Sequence, residues 1–184
     1  MGERRNVSGT AYALTVFTAI LHGHEQQVRE AIESVARGTD SPLARLGTVH
    51  TSRLQIFDHL VHQGPSQKPD RLRSHYLVFT ATLDGELEPF LDSLLRRMPE
   101  EAHSWWRHCV GYPGVDEPAA FKAWIRHNQV HTSLFVVDAP NQSVAGTLEA
   151  LALRERVIDF AVGAQGLGAE ELQRRFRETF GGAT

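Results

Sequence analysis

Two short stretches of this 184-residue chain concentrate side chains able to do chemistry. In the first, His50 and Arg53 stand within a run of β-forming residues. An imidazole there can act as acid, base or axial ligand, and a guanidinium can hold an anionic group. Strand alternation gives the two opposite parity, so one is expected to face a ligand while the other reaches solvent or pairs with a carboxylate such as Asp58. In the second stretch, residues 105–114 pack Trp105, Trp106, His108, Cys109 and Tyr112 close together. Beside Arg107 and His108, the Cys109 thiol is a candidate nucleophile, redox group or soft metal ligand if those neighbours lower its pKa. The alternative is a small buried hydrophobe with tryptophans sealing a helical layer.

Ten histidines are more than a core of this size needs, which makes metal or haem chemistry a question to test. The pairs His22 with His24 and His59 with His62 each share a face, as strand and as helix respectively, yet neither has further ligands at recognisable spacing. His127 and His131 stand just before the last expected strand. There is no H-E-x-x-H metal motif, no G-x-x-x-x-G-K-S/T phosphate loop, no G-x-G-x-x-G dinucleotide turn and no G-x-S-x-G elbow. Gly163, Gly166 and Gly168 follow a helical pattern and read as its stop.

The positions of these groups depend on the elements that carry them. Residues 13–21 read as a buried strand, and residues 25–36, with Val28, Ile32 and Val35 on one face, as an amphipathic helix. Residues 48–57 and 76–82 read as the second and third strands, joined by a polar connection containing Gly64-Pro65 and Lys68-Pro69. A helix carrying Leu87, Leu91, Leu94 and Leu95 ends near Met98-Pro99. A short helix with Phe121, Trp124 and Ile125 precedes a fourth strand over residues 133–137. The order is βαββαβ, an α+β fold with a ferredoxin-like antiparallel sheet and helices on one face. Residues 1–184 are expected to form a single domain, with a core over about 13–138 and a C-terminal helical extension over about 141–181. Those helices, or a second copy in a homodimer, would cover the bare sheet face.

Charged residues at 22% and hydrophobic residues at 41% fit a globular chain, and a net charge of -3 argues against nucleic-acid binding. No apolar run is long enough for a bilayer, and residues 1–5 lack the apolar stretch of an export signal, so a cytoplasmic protein without membrane partners is expected. A single cysteine fits a reducing compartment.

Three blocks carry a resemblance: His50-Thr51-Ser52-Arg53; Tyr76-Leu77-Val78-Phe79-Thr80 with Leu83-Asp84-Gly85; and His108-Cys109-Val110-Gly111-Tyr112-Pro113. In order and spacing over most of residues 14–160 they resemble the blocks HFARW, YLLFTSNFDG and HCEGYP of a bacterial family. That family is found beside, or fused to, haem peroxidase-like and lipid-oxidising proteins. The resemblance implies functional positions at His50, Arg53, Asp84, Cys109, Tyr112 and Pro113. The chain departs from the family at Leu54, where a bulky aromatic is usual, and at Asn128, where a histidine is usual. The fold class also resembles the dimeric α+β barrel proteins, which include antibiotic-biosynthesis monooxygenases, haem-degrading enzymes and chlorite dismutase-like proteins; such likeness fixes no activity. The expectation is an enzyme of oxidative or specialised metabolism acting on a small molecule. Its pocket lies between sheet and helices, with His50, Arg53, Cys109 and Tyr112 as catalytic residues, His50 and His108 as haem-binding candidates and no metal identified. The alternative is a non-catalytic ligand-binding or dimerising partner of an oxidative enzyme.

Overall fold

The computed structural model describes residues 6–60, 64–65 and 71–181; expectations placed on residues 1–5, His62, Lys68 and Pro69 lie outside the described residues. A two-residue strand β1 (Val7–Ser8) leads into β2 (Ala11–Ala19), α1 (Glu25–Glu33), β3 (Val49–His59), β4 (Arg71–Asp84), α2 (Leu87–Arg97), α3 (Pro99–Trp106) and α4 (Pro118–His127). The strands form one antiparallel sheet in the order β1-β2-β4-β3. The chain is thus α+β.

Alternation sorts the sheet into two faces. Leu14 and Val16 of β2 and Leu77, Phe79, Ala81 and Leu83 of β4 share one face and are buried in a single core with Val28, Phe90, Leu91, Leu94, Phe121 and Ile125 from the helices. Ala13, Thr15 and Phe17 lie on the other face, where Phe17 packs against Phe57 and Tyr76 at ring distances of 6.1 and 4.8 Å. Pro99, read as a helix stop, also starts α3 at its first turn, where a missing N–H costs nothing. Trp105 and Trp106 are thereby carried into the core, each 1% exposed.

The fourth strand expected over residues 133–137 does not form; Leu134 and Val136 are exposed. The outer edge of β2 is already taken, in three pieces. Val7–Ser8 pairs with Tyr12 and Ala11, Gln129 bridges Val16, and Cys109 bridges Ile20. The chain beyond Val130 turns instead to the N-terminal segment, where Thr132 N–H donates to Asn6 Oδ1 at 2.8 Å and Thr10 N–H to Pro140 O at 2.7 Å. Gly9 permits this close approach: its φ is +61°, and a Cβ there would stand 2.1 Å from Pro140 O.

Contacts divide the chain into a unit up to Ser143 and a second from Val144. The second unit consists of α5 (Val144–Gly163) and α6 (Ala169–Phe180). Phe160 of α5 packs on Phe176 and Phe180 of α6 at 5.8 and 5.4 Å, with the glycine-rich turn between the helices. No helix among the described residues is long and apolar enough to cross a membrane.

Trp106 meets Phe79, Trp105, Phe121 and Trp124 edge-on, with centroids 5.6 to 6.4 Å away. Trp106→Ala is expected to lower the unfolding free energy by about 3–5 kcal/mol in urea titration. Trp106→Phe should cost less, because it keeps a ring in the cage and removes an indole N–H that is buried without an acceptor.

Candidate functional site

β3 is laddered to β4 alone, so among the described residues its other edge is open. Its ladder steps from Val49 opposite Leu83 to Thr51 opposite Thr82, which makes His50 the extra residue of a bulge. Leu83 points into the core, so Asp84 faces the other way, and His50 Nε2 meets Asp84 Oδ1 at 2.6 Å. A carboxylate only accepts, so Nε2 carries the hydrogen and Nδ1 is left as the basic nitrogen. Arg53, opposite Thr80, lies on the same side of the sheet as Thr51 and Thr82. The bulge therefore cancels the parity difference that simple alternation assigns to His50 and Arg53. Gly85, with φ at +77°, then turns the chain from Asp84 into α2.

A cavity of about 590 Å³ runs along this open edge. His50, Arg53 and Leu54 from β3 line it, with Ile32 from α1 and with Val35, Arg37 and Ser41 just beyond. The carboxylate offered as a partner for Arg53, Asp58, pairs with His59 instead, and His59 holds its pKa below the usual carboxylate range. Neither Arg53 nor Arg37 is ion-paired with a described residue. No acidic side chain lines the cavity, so its field favours an anion.

The second stretch lies elsewhere. Cys109 is paired to the outer edge of β2 while β3 is the far edge of the sheet, three strand spacings or about 14 Å away. His50 and Arg53 come together; Cys109, Tyr112 and His108 do not join them. Cys109 is 2% exposed, with Thr18 Oγ1 3.4 Å from its sulfur. Burial pushes its thiol up to about 11 against a smaller lowering by the Thr18 hydrogen bond, which overturns the expected lowering by Arg107 and His108: the cost of a desolvated thiolate decides. Tyr112 is likewise pushed up to about 12, by burial first and then by Asp116 and Cys109. Its ring packs edge-on against Phe121 and Trp124, and its hydroxyl lies 3.2 Å from His103 Nδ1. Trp124 Nε1–H donates to Val110 O at 3.1 Å. This block seals the fold, as the reading of Cys109 as a buried hydrophobe requires.

His108 stacks on His24 with ring centroids 4.7 Å apart, and Arg107 Nε–H donates to its Nε2 at 3.1 Å. Burial, then the Arg107 charge, then His24 and His103, hold its pKa down. The two haem-ligand candidates sit on opposite sheet edges, and each has its Nε2 engaged by a neighbour. They do not fit one haem iron. Among the described residues no group of three or more His, Cys, Asp or Glu is placed to hold a metal ion.

A buried polar network that no sequence motif marks lies at the other end of β2. Asn6, fully buried, lies 3.4 Å from both Tyr12 Oη and His131 Nδ1, and Gln129 Nε2–H donates to Tyr12 Oη at 2.7 Å. His131 thus belongs to this network and not to the Cys109 loop. No spacing signal announces it, because its members are up to 125 residues apart. Comparison with protein-family models, with curated proteins and with solved structures finds no match to this chain.

A thiol reagent at pH 8 is expected to leave Cys109 unmodified in the native protein and to modify it fully in denaturant. Below the ordinary thiol pKa of about 8.5, folded and unfolded chains both keep the proton. Between that value and about 11 only the folded state keeps it, so this contribution to stability is lost as the pH rises through that window. Tyr112 acts in the same direction towards about 12. Urea midpoints measured from pH 8 to 11 check the slope, which Cys109→Ala should reduce.

Proposed function

We propose that this chain is an enzyme acting on a small anionic metabolite held in the cavity along the open edge of β3. The observation that carries the reading is the His50–Asp84 pair at 2.6 Å in a cavity whose two arginines have no acidic partner among the described residues. Arg53, with Arg37, anchors the anionic group, and charge-assisted bonds to a guanidinium set its orientation. His50 Nδ1 takes or gives a proton, while Asp84 fixes the tautomer and stabilises the imidazolium that forms. His50, Arg53 and Asp84 belong to two of the three blocks that resemble the bacterial family, which supports a substrate from oxidative or specialised metabolism. The order of β2, β4 and β3, with residues 128–130 beside β2 where a fourth strand would lie, supports a ferredoxin-like frame.

A specific observation favours a second reading. Phe17, Phe57 and Tyr76 cluster, half-buried, on the sheet face opposite the core. On that reading the chain is a dimerising partner module, and the cavity binds a ligand without turning it over.

Calorimetry against a panel of small carboxylates and phosphates tests the site. The binding compound is expected to lose about tenfold or more in affinity with Arg53→Ala, the equivalent of one charged hydrogen bond. Hydrogen–deuterium exchange into that compound, followed by NMR, should slow about 10²–10⁴-fold with His50→Ala at near-constant affinity. Affinity indifferent to Arg53→Ala overturns the proposal. Exchange that is absent in the unmodified protein, with Arg53-dependent binding intact, selects the module.

A further inference from the structure

A second cavity, of about 650 Å³, opens where β1, the start of β2, the Gly85 turn and the end of α4 meet. Its lining includes Val7, Tyr12, Leu87, Glu88, Arg126 and His131. Thr132 N–H donates to Asn6 Oδ1, so the Asn6 amide is fixed with Nδ2 as the donor. Nδ2 carries two hydrogens, directed at Tyr12 Oη and at His131 Nδ1. His131 Nδ1 is therefore an acceptor, and its hydrogen sits on Nε2. Tyr12 Oη also receives Gln129 Nε2–H, so both of its lone pairs are taken. Its own hydrogen has no acceptor among the described residues, although Tyr12 is only 8% exposed. A buried donor left in that state calls for an acceptor.

The charge around the cavity says what kind of acceptor. Arg126 is ion-paired with Glu88, which leaves the carboxylate of Glu86 as the remaining charge on the lining. An anion is repelled there, and a cation offers nothing to two donors. Val7, Leu87 and the Tyr12 ring supply apolar wall.

We infer that this cavity binds a neutral, largely apolar molecule through a carbonyl oxygen, which accepts from the Tyr12 hydroxyl with His131 Nε2–H as the second donor. The site is separate from the β3 cavity and shares no residue with it.

Three naphthalenes of matched shape serve as probes for saturation-transfer NMR and calorimetry on the whole chain: 2-acetylnaphthalene, 2-ethylnaphthalene and 2-naphthoate. The ketone is expected to bind at least about tenfold more tightly than the hydrocarbon, the worth of one or two hydrogen bonds. A ¹³C label on its carbonyl should move downfield on binding. Tyr12→Phe, which keeps the ring, should erase both the preference and the shift. His131→Ala should weaken both, and Arg53→Ala should change neither. Equal binding of ketone and hydrocarbon, tighter binding of the naphthoate, absence of saturable binding, or a preference that survives Tyr12→Phe each overturns the inference.

Discussion

Every backbone group on the outer edge of β2 needs a hydrogen-bond partner, because the strand lies within the core and water is not there to serve it. No single strand supplies those partners. Val7–Ser8 serves the first end, Asn128 O and Val130 N–H serve Phe17 and Thr15 in the middle, and His108 O and Val110 N–H serve Leu21 and Ala19 at the far end. The requirement fixes three distant parts of the chain against one strand. It places Cys109 in a dry environment and puts Gln129 within reach of Tyr12.

The two edges of the sheet have opposite fates. The β2 edge is closed by backbone and sealed by Trp124, Tyr112 and Phe121, so the cysteine and phenol there have their pKa values driven away from neutrality. Among the described residues the β3 edge is open, bulged and basic, and its imidazole is held by the Asp84 carboxylate. Groups on the first edge are too costly to ionise. Groups on the second stand near water, with His50 held by the Asp84 carboxylate.

The amphipathic periods of α1, α2 and α4, and three of the strands, were legible because each is a local pattern enforced by a buried face. The strand expected over residues 133–137 failed because a β-branched run states a preference while the partner edge decides, and that edge was occupied. His50 and Arg53 could be named from residue type, but their common side could not, since a one-residue bulge leaves no mark in the alternation it breaks. Cys109 looked activated by its neighbours in sequence. Depth in the fold, which sequence adjacency does not encode, reversed the sign. The Asn6 network joins residues up to 126 apart and had no local signal.

The piecewise closure of β2 also sets a timetable for biosynthesis. Tyr12 and its partner Gln129 are 117 residues apart, and Asn6 and Thr132 are 126 apart. At a ribosomal rate of about 5–20 residues per second, β2 leaves the tunnel roughly ten seconds before the segment that completes its edge. During that interval the nascent chain presents a nine-residue hydrophobic strand with unpaired backbone, the kind of surface that recruits chaperones or strays into other chains. The contacts that close the sheet are those with the greatest loop-closure entropy, so they belong at the end of the folding path. For this protein a segment translated more than a hundred residues later is needed to complete the edge of β2.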